Sequence, residues 1–381
     1  MKIYVVKSGD TLDKIATENQ ADIQAIIYDN QLQYPYPLVI GQALLIQDGS
    51  NFRTRFISSN GYAYPFINSN TLQETLPFLS ELSVFSYGFT MQGELTPPET
   101  DDTWMIEAAW ASDTIPILTL TPLGADGNFN NALITSVVQN VENRTRLIQN
   151  LITTMEEKGY QGVDIDFEYI LASDRDAFSE FVRVCADAVH AKGWQLSIAL
   201  APKTSADQRG ILYEGKDYKA LGAAADHVLL MTYEWGYTYG PPMAVAPLNE
   251  VRRVVEYAIT EIPPEKINLG IPNYGYDWPL PFEQNVTKAR NISNLEAVKI
   301  AADYGVPIQF DEIAQSPFFT YQAENGIQHE VWFEDVRSYQ AKFELIKEFE
   351  LRGAGYWQIM RLFRANWLLL DDRFYISKGN S

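Results

Sequence analysis

A single cysteine, Cys185, in 381 residues leaves no partner for an intrachain disulfide. Histidine is nearly as scarce. His190, His227 and His329 lie far apart without the spacing of a metal site, and a structural part is expected of each. Basic residues are also short, 29 against 49 acidic ones, for a net charge of −20. A surface of that sign repels nucleic-acid phosphates and anionic membrane alike, so neither is expected as a partner. No apolar run approaches the length of a membrane span. The N-terminal stretch offers only Ile3 to Val6, too short for a signal peptide, so synthesis without one is expected. What the chain does hold is 46% apolar and 13% aromatic residues, ample for a large packed core.

The most informative stretch is Gly162-Val163-Asp164-Ile165-Asp166-Phe167-Glu168-Tyr169. Apolar and acidic residues alternate with period two, so a strand sends Val163, Ile165 and Phe167 to one face and Asp164, Asp166 and Glu168 to the other. Inside a closed barrel such a row loses hydration and repels itself, an arrangement worth keeping only where a shared proton is useful.

Strand-like segments recur at 61–68, 82–88, 115–120, 161–168, 194–201, 227–233, 267–272 and 354–360. Helical stripes separate them. One runs over 143–158 and stops at Gly159. Another, over 173–192, opens with Ser173-Asp174-Arg175-Asp176 as a capping box and carries Cys185 on its apolar face, in the core. A third is capped by Asn249. Eight βα units closing into one barrel is the simplest architecture, an α/β fold of the (β/α)8 type spanning 52–381. The connection from about 277 to 332 is too long for a βα loop. It holds a helix over 293–302 and a hairpin signal, Asn325-Gly326, that suits a type I′ turn, and so predicts a small α+β insertion beside the cleft. Residues 1–48 form a separate βααβ unit with Asp10 or Thr11 as a helix cap, and Asp48-Gly49-Ser50-Asn51 is the linker.

In a barrel of this type, functional groups sit at the C-terminal strand ends. Glu168 is expected to end strand four and Tyr233 strand six. Met231 shares the parity of Tyr233, Tyr274 follows strand seven, and Trp357 lies on strand eight. A carboxylic acid beside a second carboxylate, a phenol and a ring of aromatics suits the cutting of a sugar chain. Aromatic faces stack on pyranose rings while the acid protonates the departing oxygen. Repulsion from Asp166 is expected to keep Glu168 protonated near neutrality. The three acids also admit a metal reading, although no histidine lies nearby in sequence. Gly353-Ala354-Gly355 starts like a dinucleotide fingerprint, but Gln358 stands in the third glycine's place.

These residues resemble glycoside hydrolase family 18. Its acidic-Gly-x-Asp-x-Asp-x-Glu pattern is met by Gly162, Asp164, Asp166 and Glu168, with Gln161 replacing the first acid. Its Met-x-Tyr-Asp stretch is present as Met231-Thr232-Tyr233-Glu234, with Glu for Asp. The resemblance implies a retaining, cofactor-free enzyme in which the substrate's own 2-acetamido oxygen attacks the anomeric carbon. It implies Glu168 as acid then base, Asp166 as the group that orients the acetamido, Asp164 as its support and Tyr233 as donor to the acetamido oxygen. Trp357 becomes the subsite floor, with Met231, Glu234 and Tyr274 as further substrate contacts.

The first unit resembles the LysM module through Tyr4-Val5-Val6-Lys7-Ser8-Gly9-Asp10-Thr11-Leu12 and Leu38-Val39-Ile40-Gly41-Gln42-Ala43-Leu44-Leu45-Ile46. That implies binding of N-acetylglucosamine-containing glycans through Gly9, Asp10, Thr11, Asn30 and Leu32. Gly9 and Asp10 equally suit a plain turn and cap. The combination is similar to spore-cortex and germination glucosaminidases, which implies peptidoglycan as substrate and a place in the spore coat, cortex or cell wall. A chitinase and a non-catalytic glycan-binding wall or coat protein are the alternatives. Loss of residues 1–48 is expected to weaken retention on insoluble glycan and to spare small soluble substrates.

Overall fold

The computed structural model describes every residue except 51, 125–126 and 380–381, so Asn51 of the expected linker lies outside the described residues. Eight parallel strands follow one another around a barrel: Phe56–Ala63, Glu81–Phe89, Ile115–Leu120, Gly162–Ile165, Gln195–Leu200, His227–Leu230, Ile267–Pro272 and Gly353–Trp357. Pairing of the first strand with both the second and the eighth closes the cylinder. Tyr375–Ile376 adds a short parallel strand against the start of strand one.

The acidic stretch behaves as its alternation dictates. Phe167 stacks outward on Phe178, Phe181 and Phe89, while Asp164 and Asp166 are buried within the barrel. Strand four ends at Ile165 rather than Glu168, although Asp166 still donates its N–H to Leu120 O at 3.0 Å. Strand six likewise ends at Leu230, before Met231 and Tyr233. Strand one starts five residues earlier than the sequence pattern suggests, because Phe56 to Asn60 already belong to the ladder.

The helix over Val141–Lys158 stops at Gly159, whose φ of +87° favours glycine. Three local expectations are corrected. The Ser173 capping box does not form. The helix there is Arg175–His190, and the Asp174 carboxylate instead accepts from Thr135 Oγ1 and Gln139 Nε2 on a neighbouring helix. Asn249 lies inside the helix Leu248–Glu261, which starts behind Pro247 without a side-chain cap. In the hairpin between Ser316–Gln322 and Gln328–Trp332 only Gly326 of the Asn-Gly pair has a positive φ, +82°, so the turn is not type I′. Cys185 is core, and burial pushes its thiol up to about 12.

Five antiparallel strands within 275–332 form the added sheet, covered by the helix Asn294–Asp303 that Ser293 caps. Ile292, Ala301, Phe319 and Val331 make its small core, and Val39 of the N-terminal unit joins them.

That unit pairs Lys2–Val5 with Ala43–Ile46 around two short helices. It is not tethered loosely. Leu45 belongs to the barrel's own core, with Ile3 and Ala43 against it. Ile308 donates its N–H to Ile40 O at 2.9 Å, and Arg337 reaches Gly41 O at 3.1 Å. A Cβ on Gly41 would come within 1.8 Å of Ile308 O. Arg364 stacks on Tyr28 at 3.9 Å and donates to its carbonyl. Removal of residues 1–48 therefore has a stability effect that the sequence does not foretell. Uncovering two or more apolar side chains, each about 1.5–3 kcal/mol, is expected to lower Tm by roughly 5 °C or more. Scanning calorimetry should show the intact chain unfolding in one transition, and two independent transitions would contradict this coupling.

Candidate active site

At the C-terminal ends of the barrel strands lies a cleft of about 820 Å³. Asp166, Glu168, Tyr233 and Met231 line it, together with Tyr62, Tyr64, Phe85, Tyr276 and Trp357. Beneath them Asp164 is fully enclosed. Its two oxygens accept from Tyr62 Oη at 2.9 Å and Ser197 Oγ at 2.6 Å, and burial raises its pKa against those two bonds. Asp166 sits next in the row, and its Oδ1 is buried without a hydrogen-bond partner. Burial, then repulsion from Glu168 and Asp164, lifts the Asp166 carboxyl well above the usual range. Glu168 is half-buried at the cleft wall, and its pKa is raised chiefly by that burial. The repulsion expected to act on Glu168 thus expresses itself most strongly on its deeper neighbour. Burial thus disfavours the charged form of all three carboxyls in the row.

Tyr233 faces the same space, and burial followed by the Asp166 charge keeps its phenol protonated and able to donate. The indole of Trp357 stands edge-on to Phe85 at 4.8 Å and to Tyr64 at 6.3 Å. Contacts with two rings restrain the tilt of the indole.

Glu234, with φ +68°, accepts from Tyr274 Oη at 2.5 Å and Tyr276 Oη at 3.0 Å. It keeps a solvent-exposed edge, yet the protein around its carboxylate raises its pKa against the two phenols that lower it. Tyr274 is not among the residues that line the cleft. Its ring is buried in an aromatic cluster that includes Trp278 and Trp332, edge-on to Tyr276 at 5.7 Å, and Tyr276 lines the cleft. The sequence reading does not single out Tyr62, on strand one, or Tyr64, just past its end, although their two-residue spacing carries a parity signal. Nothing in sequence singles out Phe85, because the register shifts between Val84 and Tyr87 beside it.

Among the described residues no group of three His, Cys, Asp or Glu side chains is placed to hold a metal ion. Each histidine instead lies beside one carboxylate, His190 with Asp226, His227 with Glu81 and His329 with Asp277.

The first unit's candidate residues do not converge. The Asp10 carboxylate is held at about 2 by the Lys7 N–H, Lys14 and Tyr4, and Thr11 caps the first helix. Asn30 is buried, its amide tied to Ile26 O and to both backbone groups of Leu45. All three side chains are engaged within the unit's own fold. Gly9, with φ +79°, is exposed. Leu32 turns from it into a separate cavity of about 570 Å³ between loop 30–37, the helix Asn294–Asp303 and Glu334.

Flat platforms for a pyranose ring, above an acid half-hidden at the strand ends, are what a (β/α)8 glycosidase presents to its substrate, and this chain falls in that class. Comparison with known sequences narrows it. Residues 119–361 match glycosyl hydrolases family 18 and residues 4–47 the LysM domain, and the chain belongs to family 18 with a LysM domain at its N-terminus. These domains bind glycans that contain N-acetylglucosamine. The cortical fragment-lytic enzyme of Bacillus subtilis (strain 168) is 37% identical over 430 residues, covering 99% of each chain. The crystal structure of the Bacillus cereus spore cortex-lytic enzyme SleL superposes with a TM-score of 0.94 at 34% identity, again over 99% of each chain. A chitinase from Chromobacterium violaceum ATCC 12472 is 26% identical with a TM-score of 0.77, over 83% of this chain and 98% of its own.

Proposed function

We propose that this chain is a retaining glycosidase that cleaves N-acetylglucosaminyl linkages in spore-cortex peptidoglycan. The observation that carries the reading is the buried acid row at the foot of an aromatic cleft, in a chain matched end to end by a cortical fragment-lytic enzyme. In this reading Glu168 gives its proton to the leaving oxygen and later takes one from water. Asp166 orients the 2-acetamido group and balances the positive charge of the oxazolinium intermediate, and Asp164 holds Asp166 from below. Tyr233 donates to the acetamido oxygen and Trp357 floors the ring. Met231, Tyr276 and Glu234 complete the walls. Attack from within the substrate contributes about 7–11 kcal/mol through effective molarity, against a factor of about 10²–10⁴ for proton donation. Because each of the two displacements inverts the anomeric carbon, the product keeps the β configuration.

The domain division we favour is 1–48 for the glycan-binding unit and 52–381 for the barrel, with 277–332 inserted. The site of action proposed is the cortex or adjoining wall. Chitin is the second reading, supported by the likeness to the chitinase fold. Hydrolysis rates on cortex fragments and on chitin oligomers decide between them: faster cleavage of cortex fragments is expected. The mechanism has its own check. Removing the acetyl groups from either substrate is expected to abolish cleavage, and equal rates on acetylated and deacetylated glycan would overturn internal attack.

A further inference from the structure

The loop after the fifth barrel strand passes the cleft wall at Tyr213 and reaches Gly215-Lys216-Asp217, where the helix Tyr218–Ala224 begins. The backbone is held from three sides here. Gly215 lies so close to Ile170 that a Cβ would come within 2.4 Å of its carbonyl oxygen. The carbonyl of Lys216 accepts from Lys203 Nζ at 3.0 Å, and Asp217 both caps the helix and pairs with Arg175 at 2.8 Å. The Lys216 side chain has no freedom to reach solvent, and it is completely buried. Its Nζ has no hydrogen-bond partner, and neither has Asp166 Oδ1.

An enclosed ammonium without hydrogen bonds is costly unless nearby charge offsets the lost hydration. The charges that favour it are Glu168 and Asp166, while burial alone acts against it and brings it down to about 8. The influence is mutual, since Lys216 is the cation that opposes the upward push of burial on both carboxyls. Other ionisable groups around this pair are accounted for. Asp164 adds negative charge beneath Asp166, and Tyr233, Tyr169 and Glu234 face Glu168. Lys203 is engaged by the carbonyls of Ala206 and Lys216, and Arg175 by Asp217.

We propose that Lys216 is a positioning residue for the acid: its enclosed charge sets the pH window in which Glu168 can both give a proton and take one back. The proposal rests on the catalytic reading above. An acid that must act as base in the second half-reaction needs a pKa near the working pH. Three buried carboxyls without a cation would hold their protons too firmly for that second step. With Lys216 charged, Glu168 ionises at lower pH and water can be activated. When Lys216 discharges, the row tightens its hold again.

The sign of the test follows. Lys216→Met removes the cation, so the Asp166 and Glu168 pKa values rise. The acidic limb of the kcat pH profile is expected to move upward by about one unit or more, with rates falling most on that side. Above the Lys216 pKa of about 8 the two proteins should converge, because wild type has lost the charge as well. Lys216→Gln, a second neutral variant, should behave alike, and Lys216→Arg should restore the wild-type limbs. A purely structural lysine would lower kcat at every pH without moving the limbs. An acidic limb of a folded Met or Gln variant that coincides with wild type would overturn the proposal. Glu168→Gln tests the reading beneath it: activity retained there would sink that reading whatever Lys216 does.

Discussion

Glu168→Gln is expected to lower kcat on N-acetylglucosaminyl substrates by at least about 10²-fold while the fold stays intact. The amide fills the same space but has no proton to give and takes none from water. Stability should not suffer. Glu168 is a half-buried carboxyl whose folded-state pKa is raised, so its contribution favours folding only below the unfolded value of about 4 and becomes a penalty as pH climbs toward the folded one. At neutral pH a neutral amide removes that penalty, and Tm should equal or exceed that of wild type. Turnover and thermal unfolding measured on one preparation separate a chemical loss from misfolding. Wild-type turnover in the variant would exclude Glu168 as the acid.

Asp166→Asn is expected to have an effect of similar order, a fall in kcat of roughly 10²–10³ with KM changed much less. Its carboxylate carries a buried oxygen with no partner in the ground state, as suits a group whose best partner forms only during reaction. Charge develops on the acetamido carbon and nitrogen as the ring closes, and an asparagine offers only a dipole to meet it. The same sign argument applies, since burial and Glu168 raise the Asp166 pKa further still. The variant should therefore be at least as stable as wild type at neutral pH. A kcat near wild type would remove Asp166 from the mechanism.

Why some of this was legible and some not comes down to which forces act within a few residues. The Gly162 to Tyr169 stretch carries its own two-residue period, and both faces found the surroundings that their chemistry demands. Strand ends were less legible because the chain stays extended past the last ladder bond, as Asp166 shows beside Leu120. Tyr274 and Tyr276 could not be ranked from sequence. They share parity, and only the fold shows that Tyr276 lies within the strand Gly275–Pro279, paired with Arg290–Ile292 and Gln328–Trp332, while Tyr274 lies just before it. Asp174, Asp10 and Asn30 illustrate a different limit. A short polar side chain satisfies whichever backbone or hydroxyl group tertiary structure brings near, and sequence reveals its capacity but not its partner. Lys216 stood out for no local reason, since its carboxylate neighbours arrive from a different strand.

The seating of the N-terminal unit on Ile308, Arg337 and Arg364 has a geometric outcome. A sugar strand gripped there meets the cleft at one offset and one heading, like stock held in a fixed jig. Cut positions should then fall at regular intervals from the point of grip, where a swinging anchor would scatter them.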